Sequence, residues 1–262
     1  MEEWRAELTL GALYISSAIF SVTSLISLVT VWQHWTWNLD ICISIDCSCI
    51  LYGINTFRTF TGGEVKFCHF GVYGLVPAIL IGLCLGGYHA YRCCINRNFD
   101  GPVRVYDNPR RSLNDVPRTV VVRPKSRRPY RQWLAALFLA ILMCCLSFAH
   151  AVITTGGYYK TCEQYQRRLI ELLNSTGREA ELIHDRLSCG AIFDFMDYLE
   201  PQQADWRRDK LVDTGIVLQL AIIFTWLNVC AWILAFLLNF VMARKRICCC
   251  ERNDHPLDCN QD

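Results

Sequence analysis

The chain has 262 residues, 53% hydrophobic and 19% charged, with a net charge of +2 and a mean hydropathy of +0.21. A soluble domain carries about a quarter charged residues, and the deficit here is concentrated in four stretches without any Asp, Glu, Lys or Arg. Each exceeds the roughly 18 apolar residues that mark a membrane-spanning helix, which excludes a soluble enzyme, a nucleic-acid binder and a disordered chain.

In chain order, residues 1–8 are a short acidic segment without the basic stretch that opens a cleaved signal peptide. The first span, 9–31, is therefore expected to be a retained anchor. It is rich in hydroxyls: Ser16, Ser17, Ser21, Thr23, Ser24 and Ser27 can bond to their own helix or to a neighbour. The first loop, 32–69, opens with Trp32, Trp35 and Trp37, a pattern typical of the aromatic belt at headgroup depth. Alternation from Ile41 to Tyr52 predicts a short strand that ends before Thr61-Gly62-Gly63. In the second span, 70–91, Pro77 is expected to kink the helix. Gly82-x-x-x-Gly86 permits close helix contact, either within the bundle or as a dimerisation face.

The middle connection, 92–131, holds eleven basic and three acidic residues, a net of +8, and five of the eight prolines. It is predicted to be mostly disordered. Its arginines would attract anionic lipid at about 1 kcal/mol each, a contact that phosphorylation at Ser112, Thr119 or Ser126 would weaken. A solvated basic linker is the alternative. After the third span, 132–154, comes the second large loop, 155–214, with eight basic and eleven acidic residues. Tyr165, Leu169, Leu172 and Leu173 follow a helical spacing there. Gly177 is expected to interrupt that helix, and a second is predicted over Arg178–Leu187 with Ile183 and Leu187 inward. In the fourth span, 215–243, Gln219 and Asn228 are expected to bond across the bundle. The tail, 244–262, opens on Arg244-Lys245-Arg246.

Orientation follows from this partition, because basic residues near span ends are retained in the cytosol. The middle connection and both termini are predicted to be cytosolic, and the loops 32–69 and 155–214 to face the lumen or exterior. The sequon Asn174-Ser175-Thr176 agrees, since glycosylation there requires the lumenal side. The fold class expected is an all-α membrane protein, a four-helix bundle with two disulfide-containing outer loops. The partners expected are the bilayer, anionic cytosolic-leaflet lipids and other membrane proteins or a second copy.

Sixteen cysteines fall into three groups. Cys42, Cys47, Cys49, Cys68, Cys162 and Cys189 lie in the outer loops, where an even number in an oxidising compartment favours disulfides. Cys162–Cys189 is the one pair inside the second loop; a bridge between the loops is the alternative. Cys42-x4-Cys47-x-Cys49 fits no common zinc spacing. Cys93, Cys94, Cys248, Cys249 and Cys250 flank span ends on the cytosolic side, the usual setting for S-palmitoylation. Unmodified thiols, or zinc bound through Cys248, Cys250, His255 and Cys259, are the competing readings. Cys84, Cys144, Cys145 and Cys230 lie in spans as small packing residues. No span holds an acid or a strong base, which disfavours a proton pump. His89 and His150 lie near span ends. No nucleophile elbow, zinc-protease, P-loop or dinucleotide motif is present. Catalytic, metal and cofactor residues are therefore not expected.

Three stretches resemble the transmembrane protein 179 family, which is itself similar to synaptogyrin–synaptophysin (MARVEL-type) four-span proteins. They are Cys49-Ile50-Leu51-Tyr52 with Phe67-Cys68-His69-Phe70; Ala90-Tyr91-Arg92; and Phe224-Thr225-Trp226 with Ala231-Trp232 and Leu234-Ala235-Phe236. Cys162 and Cys189 also have a counterpart. The resemblance implies that Cys49 pairs with Cys68, with Cys42 and Cys47 additional to that pattern. It implies a non-enzymatic role in membrane organisation or vesicle trafficking, in the plasma membrane or secretory and vesicle membranes. An accessory subunit of a channel or receptor is the alternative, and a pore-forming large channel the third reading.

Overall fold

The structure is a computed structural model that describes residues 3–40, 42–56, 59–94, 103–105, 120–122, 130–199 and 212–251. In order, the elements are α1 (Glu3–Leu39), β1 (Cys49–Asn55), β2 (Phe60–Gly63), α2 (Val65–Tyr73), α3 (Val76–Cys94), β3 (Val103–Val105), β4 (Val120–Val122), α4 (Tyr130–Leu172), α5 (Arg178–Arg186), α6 (Cys189–Leu199) and α7 (Thr214–Glu251). Four helical units are long and apolar enough to cross a membrane: α1, α2 with α3, α4 and α7. The protein is thus mostly helical and has the composition of an integral multi-pass membrane protein. Packing between α1 and α7, α1 and α3, and α4 and α7 builds the bundle.

The helices do not stop at the expected span ends. A continuous backbone ladder satisfies itself, and nothing before Asp40 breaks α1. It therefore runs eight residues past Val31. Likewise α4 carries the 132–154 stretch straight into the helix predicted around Tyr165. The second span does break, but ahead of Pro77, which sits in the first turn of α3 where its missing N–H costs nothing. At the break, the Leu75 N–H turns to the Val72 carbonyl (3.4 Å). The Gly71 carbonyl instead accepts from buried His150 Nε2 at 2.7 Å.

The strand expected over 41–52 is displaced to Cys49–Asn55, because a bridge between Cys42 and Cys47 closes the preceding five-residue step. It pairs antiparallel with β2 through an irregular register in which Tyr52 takes φ 61°. The hairpin needs Gly62 and Gly63: a Cβ on either would stand 2.1 Å from a carbonyl oxygen, of Cys47 or Leu51 respectively. The 92–131 connection, expected to be mostly disordered, contains the short β3–β4 antiparallel pair. Helix α6 was not foreseen in the sequence, whose helical readings in the second large loop end at Leu187.

Of the two contacts open to Gly82-x-x-x-Gly86, the structure has the one within the bundle. Both glycines are buried against α1: a Cβ on Gly82 would lie 2.9 Å from the Tyr14 carbonyl oxygen, and one on Gly86 would lie 2.7 Å from Ile15 Cγ1. Their face is occupied inside the bundle, so no second copy can reach it.

Candidate functional site

Hydroxyls and amides on α1, α4 and α7 converge in a polar seam along the bundle. At mid-depth, Ser17 Oγ donates to Asn228 Oδ1 at 2.6 Å, and Asn228 Nδ2 donates to Ser147 Oγ at 3.2 Å. One amide thereby ties three spans together. Two turns along α7, Ser24 Oγ bonds the Ala221 carbonyl (3.1 Å) and the Thr225 hydroxyl (2.8 Å). Gln219 Nε2 donates to the Tyr158 hydroxyl at 3.2 Å. In the other direction, Asn239 Nδ2 donates to the Tyr14 hydroxyl at 3.1 Å, and the Tyr14 ring lies 5.7 Å from His89 and 5.6 Å from Trp232. From Thr214 to Asn239 the seam runs about 37 Å at 1.5 Å per residue, the full depth of a bilayer core. Outward-facing span residues such as Ile19, Ile26, Leu142, Ile223 and Leu237 are apolar and exposed.

Sequence reasoning named Gln219, Asn228 and the α1 hydroxyls but missed Asn239, Tyr14 and Ser147. A signal existed: Ala221, Thr225, Asn228, Trp232, Ala235 and Asn239 repeat at three- and four-residue steps, and all are buried. Also missed was Glu7. It is 1% exposed and pairs with Arg92 Nη2 at 3.5 Å, joining α1 to α3 beside His89. A buried pair of this kind is weak evidence for stability but sets register.

Above the seam, both large loops assemble with the ends of α1, α4 and α7 into a cap. Cys49 is joined to Cys68, Cys162 to Cys189 and Cys42 to Cys47; none of these bridges joins the two loops. Among the described residues no strand lies beside the outer edge of β1, and α4 satisfies it. Thr161 Oγ1 donates to the Ile50 carbonyl (2.7 Å) and accepts from the Gly53 N–H (2.9 Å). Trp35, placed by sequence at headgroup depth, is fully buried because its Nε1 donates to Thr214 Oγ1 at 2.8 Å. Thr214 in turn donates to Asp197 through its hydroxyl (2.6 Å) and its N–H (2.8 Å). Asp197 therefore caps the first turn of α7, where the helix dipole favours an anion. Burial nevertheless holds its carboxyl above the ordinary aspartate range; the Thr214 bonds and His34 oppose the rise and Asp194 adds to it.

Asn174 is exposed on the turn after α4, with φ 46°. Cys93 is buried at the end of α3, which does not present its thiol for acylation. The side chains of Cys94, Cys248, Cys249 and Cys250 lie outside the described residues, as do Ser112, Thr119, Ser126, His255 and Cys259. Among the described residues no three His, Cys, Asp or Glu are grouped to hold a metal. A void of about 10 Å³ between Leu28, Trp32, Leu51, Cys68 and Val72 is at the lower limit for one water, and its lining is almost wholly apolar. Comparison of the chain with protein-family models, curated proteins and solved structures gives no match.

Proposed function

We propose that this protein is non-enzymatic and acts by lateral association within the membrane, in membrane organisation or vesicle trafficking. The observation carrying this reading is the inward direction of the seam: Ser17, Asn228 and Ser147 satisfy one another in the middle of the bundle, leaving apolar side chains outward. Helices held in this way present van der Waals surface to neighbours, which is the chemistry of a membrane scaffold. The MARVEL-type resemblance supports the same role. In this reading the cap faces the lumen or exterior with Asn174 glycosylated, and both termini are cytosolic. The support is the net +8 of the middle connection against the net −3 of the second large loop. Cys94 and Cys248–Cys250 are acylated at the cytosolic surface beside Arg244, Lys245 and Arg246, where the basic middle connection meets anionic lipid.

The test is extraction of the protein with its native lipid into polymer-bounded discs, followed by identification of what co-purifies. Recurrent integral membrane proteins of one vesicle population are expected. A stoichiometric channel or receptor would replace this reading by the accessory-subunit one, and a symmetric ring of this chain alone would overturn it.

A further inference from the structure

Three exposed apolar side chains of the cap stand apart from its core: Trp37 is 88% exposed, Ile43 fully exposed and Ile45 59% exposed. Leaving such groups in water forfeits about 1.5–3 kcal/mol of burial apiece, and their positions indicate what covers them. Along α1 the exposed residues Ile15, Ile19, Val22, Ile26, Gln33 and Trp37 recur at three-, four- and seven-residue intervals. Trp37 thus continues the lipid-facing stripe of the span. It lies two residues before Leu39, the last residue of the run without Asp, Glu, Lys or Arg that Asp40 ends, about 3 Å inside that boundary at 1.5 Å per residue.

Ile43 and Ile45 belong to the loop closed by Cys42–Cys47. Its height is fixed independently from the second span, because the Val65 N–H donates to the Asp46 carbonyl at 3.2 Å. Val65 opens α2 two residues before the charge-free stretch begins at Phe67, about 3 Å of helix. Two unconnected helices therefore place the loop within one headgroup layer of the hydrocarbon boundary. That is the depth at which a tryptophan ring partitions and amphipathic elements bury an apolar face. The neighbouring charges are Asp40 and Asp46, with no Lys or Arg between residues 32 and 56. This composition suits a zwitterionic surface and disfavours an anionic one.

We propose that the Cys42–Cys47 loop is a membrane-dipping element: Ile43 and Ile45, with Trp37 beside them, insert into the interfacial layer of the leaflet at the cap end. The bridge holds the two isoleucines out from the fold, and the cap is thereby tethered to the lipid surface as well as to the spans. This follows from the spanning helices alone and stands whether or not the protein associates laterally.

The test places a benzophenone side chain at Ile43, Ile45 or Glu181, the last an exposed position on α5, in the full chain reconstituted in phosphatidylcholine nanodiscs. Retention of the Cys49–Cys68 and Cys162–Cys189 bridges on non-reducing peptide mapping establishes that each variant is folded. Irradiation is expected to give phospholipid adducts at positions 43 and 45, at least about fivefold above position 181. Replacing a third of the lipid by phosphatidylserine should not raise the yield. Adducts to a second copy of the chain, or yields at 43 and 45 equal to that at 181, would overturn the proposal. As a second measurement, lipids brominated near the glycerol backbone should quench native tryptophan fluorescence more than lipids brominated at the chain ends, and Trp37→Phe should reduce that difference. An unchanged difference would remove Trp37 from the element.

Discussion

At the cap end, β1, α2, α4 and α6 are linked covalently through Cys49–Cys68 and Cys162–Cys189 around Trp35, Phe60, Tyr165 and Phe193. The spans below meet without bridges, through glycines, single hydrogen bonds and an apolar cluster around Tyr14, Trp133 and Trp232. The solvent explains the contrast. Water drives apolar side chains of the cap together, yet two loops of this size bury too little area for independent stability, and bridges compensate. Between spans, lipid is as apolar as leucine, so burial supplies no drive; close backbone contact and polar pairs must supply it. Ser17, Ser24 and Asn228 therefore bond span to span in the bundle, whereas the cap rests on disulfides around an aromatic core.

Substitutions that violate close contact should break the bundle most severely. Gly82→Leu forces a side chain into the Tyr14 carbonyl and Ala18 Cβ, 2.9 and 3.2 Å from a Cβ at that site. A loss of roughly 3 kcal/mol or more is expected, seen as collapse of thermal stability in detergent; a melting curve within two degrees of wild type would refute the α1–α3 contact. In the cap, loop-closure entropy grades the bridges by their sequence separations of 27, 19 and 5. Loss of Cys162–Cys189 should cost about 3.6 kcal/mol, Cys49–Cys68 about 3.2 and Cys42–Cys47 about 2. Serine variants measured by chemical denaturation should follow that order, and an inverted order would mean that strain or residual structure decides.

Smaller effects belong to the seam. Asn228→Ala removes two interhelical bonds and should cost about 1–2 kcal/mol, with Ser17→Ala nearer 0.6; steric trapping in bicelles resolves such differences. If Ser17→Ala costs more than Asn228→Ala, the amide is not the hub. The subtlest expectation is electrostatic. Because the Asp197 carboxyl is raised in the folded protein, the native state retains its proton to a higher pH than the unfolded chain does. Stability of the cap should fall as pH rises from the ordinary aspartate value through the raised one, then level off. Asp197→Asn should flatten that segment of the pH–stability curve, and a variant retaining the same slope would place the titration elsewhere.

The spans were legible because the bilayer penalises every charge, so four runs without Asp, Glu, Lys or Arg mark four long helices. Their ends were legible only in part: α1 stops at Leu39, where its charge-free run does, but α4 continues past Lys160, Glu163 and Arg167 to Leu172, because charge tolerance says where the membrane stops and not where a helix does. The cap was legible only in part. Cysteine type and loop membership narrowed the choice of bridges, but β2 consists of Phe-Thr-Gly-Gly, whose glycines oppose strand propensity and reveal their purpose only against the Cys47 and Leu51 carbonyls. Trp35 failed for the opposite reason. Its belt-like context was correct, yet the acceptor that draws it inward, Thr214, is 179 residues away. Glu7 paired with Arg92, and Tyr14 with Asn239, are equally non-local, and one sequence without its fold offers no means of matching such partners.

On the proposed function the seam is a helix adhesive and not a conduction path. Single-channel recording of purified full-length protein in planar bilayers tests this most directly. Current indistinguishable from that of protein-free bilayers is expected across voltages of either sign. Discrete openings of uniform conductance, altered by Asn228→Leu in the seam, would contradict it.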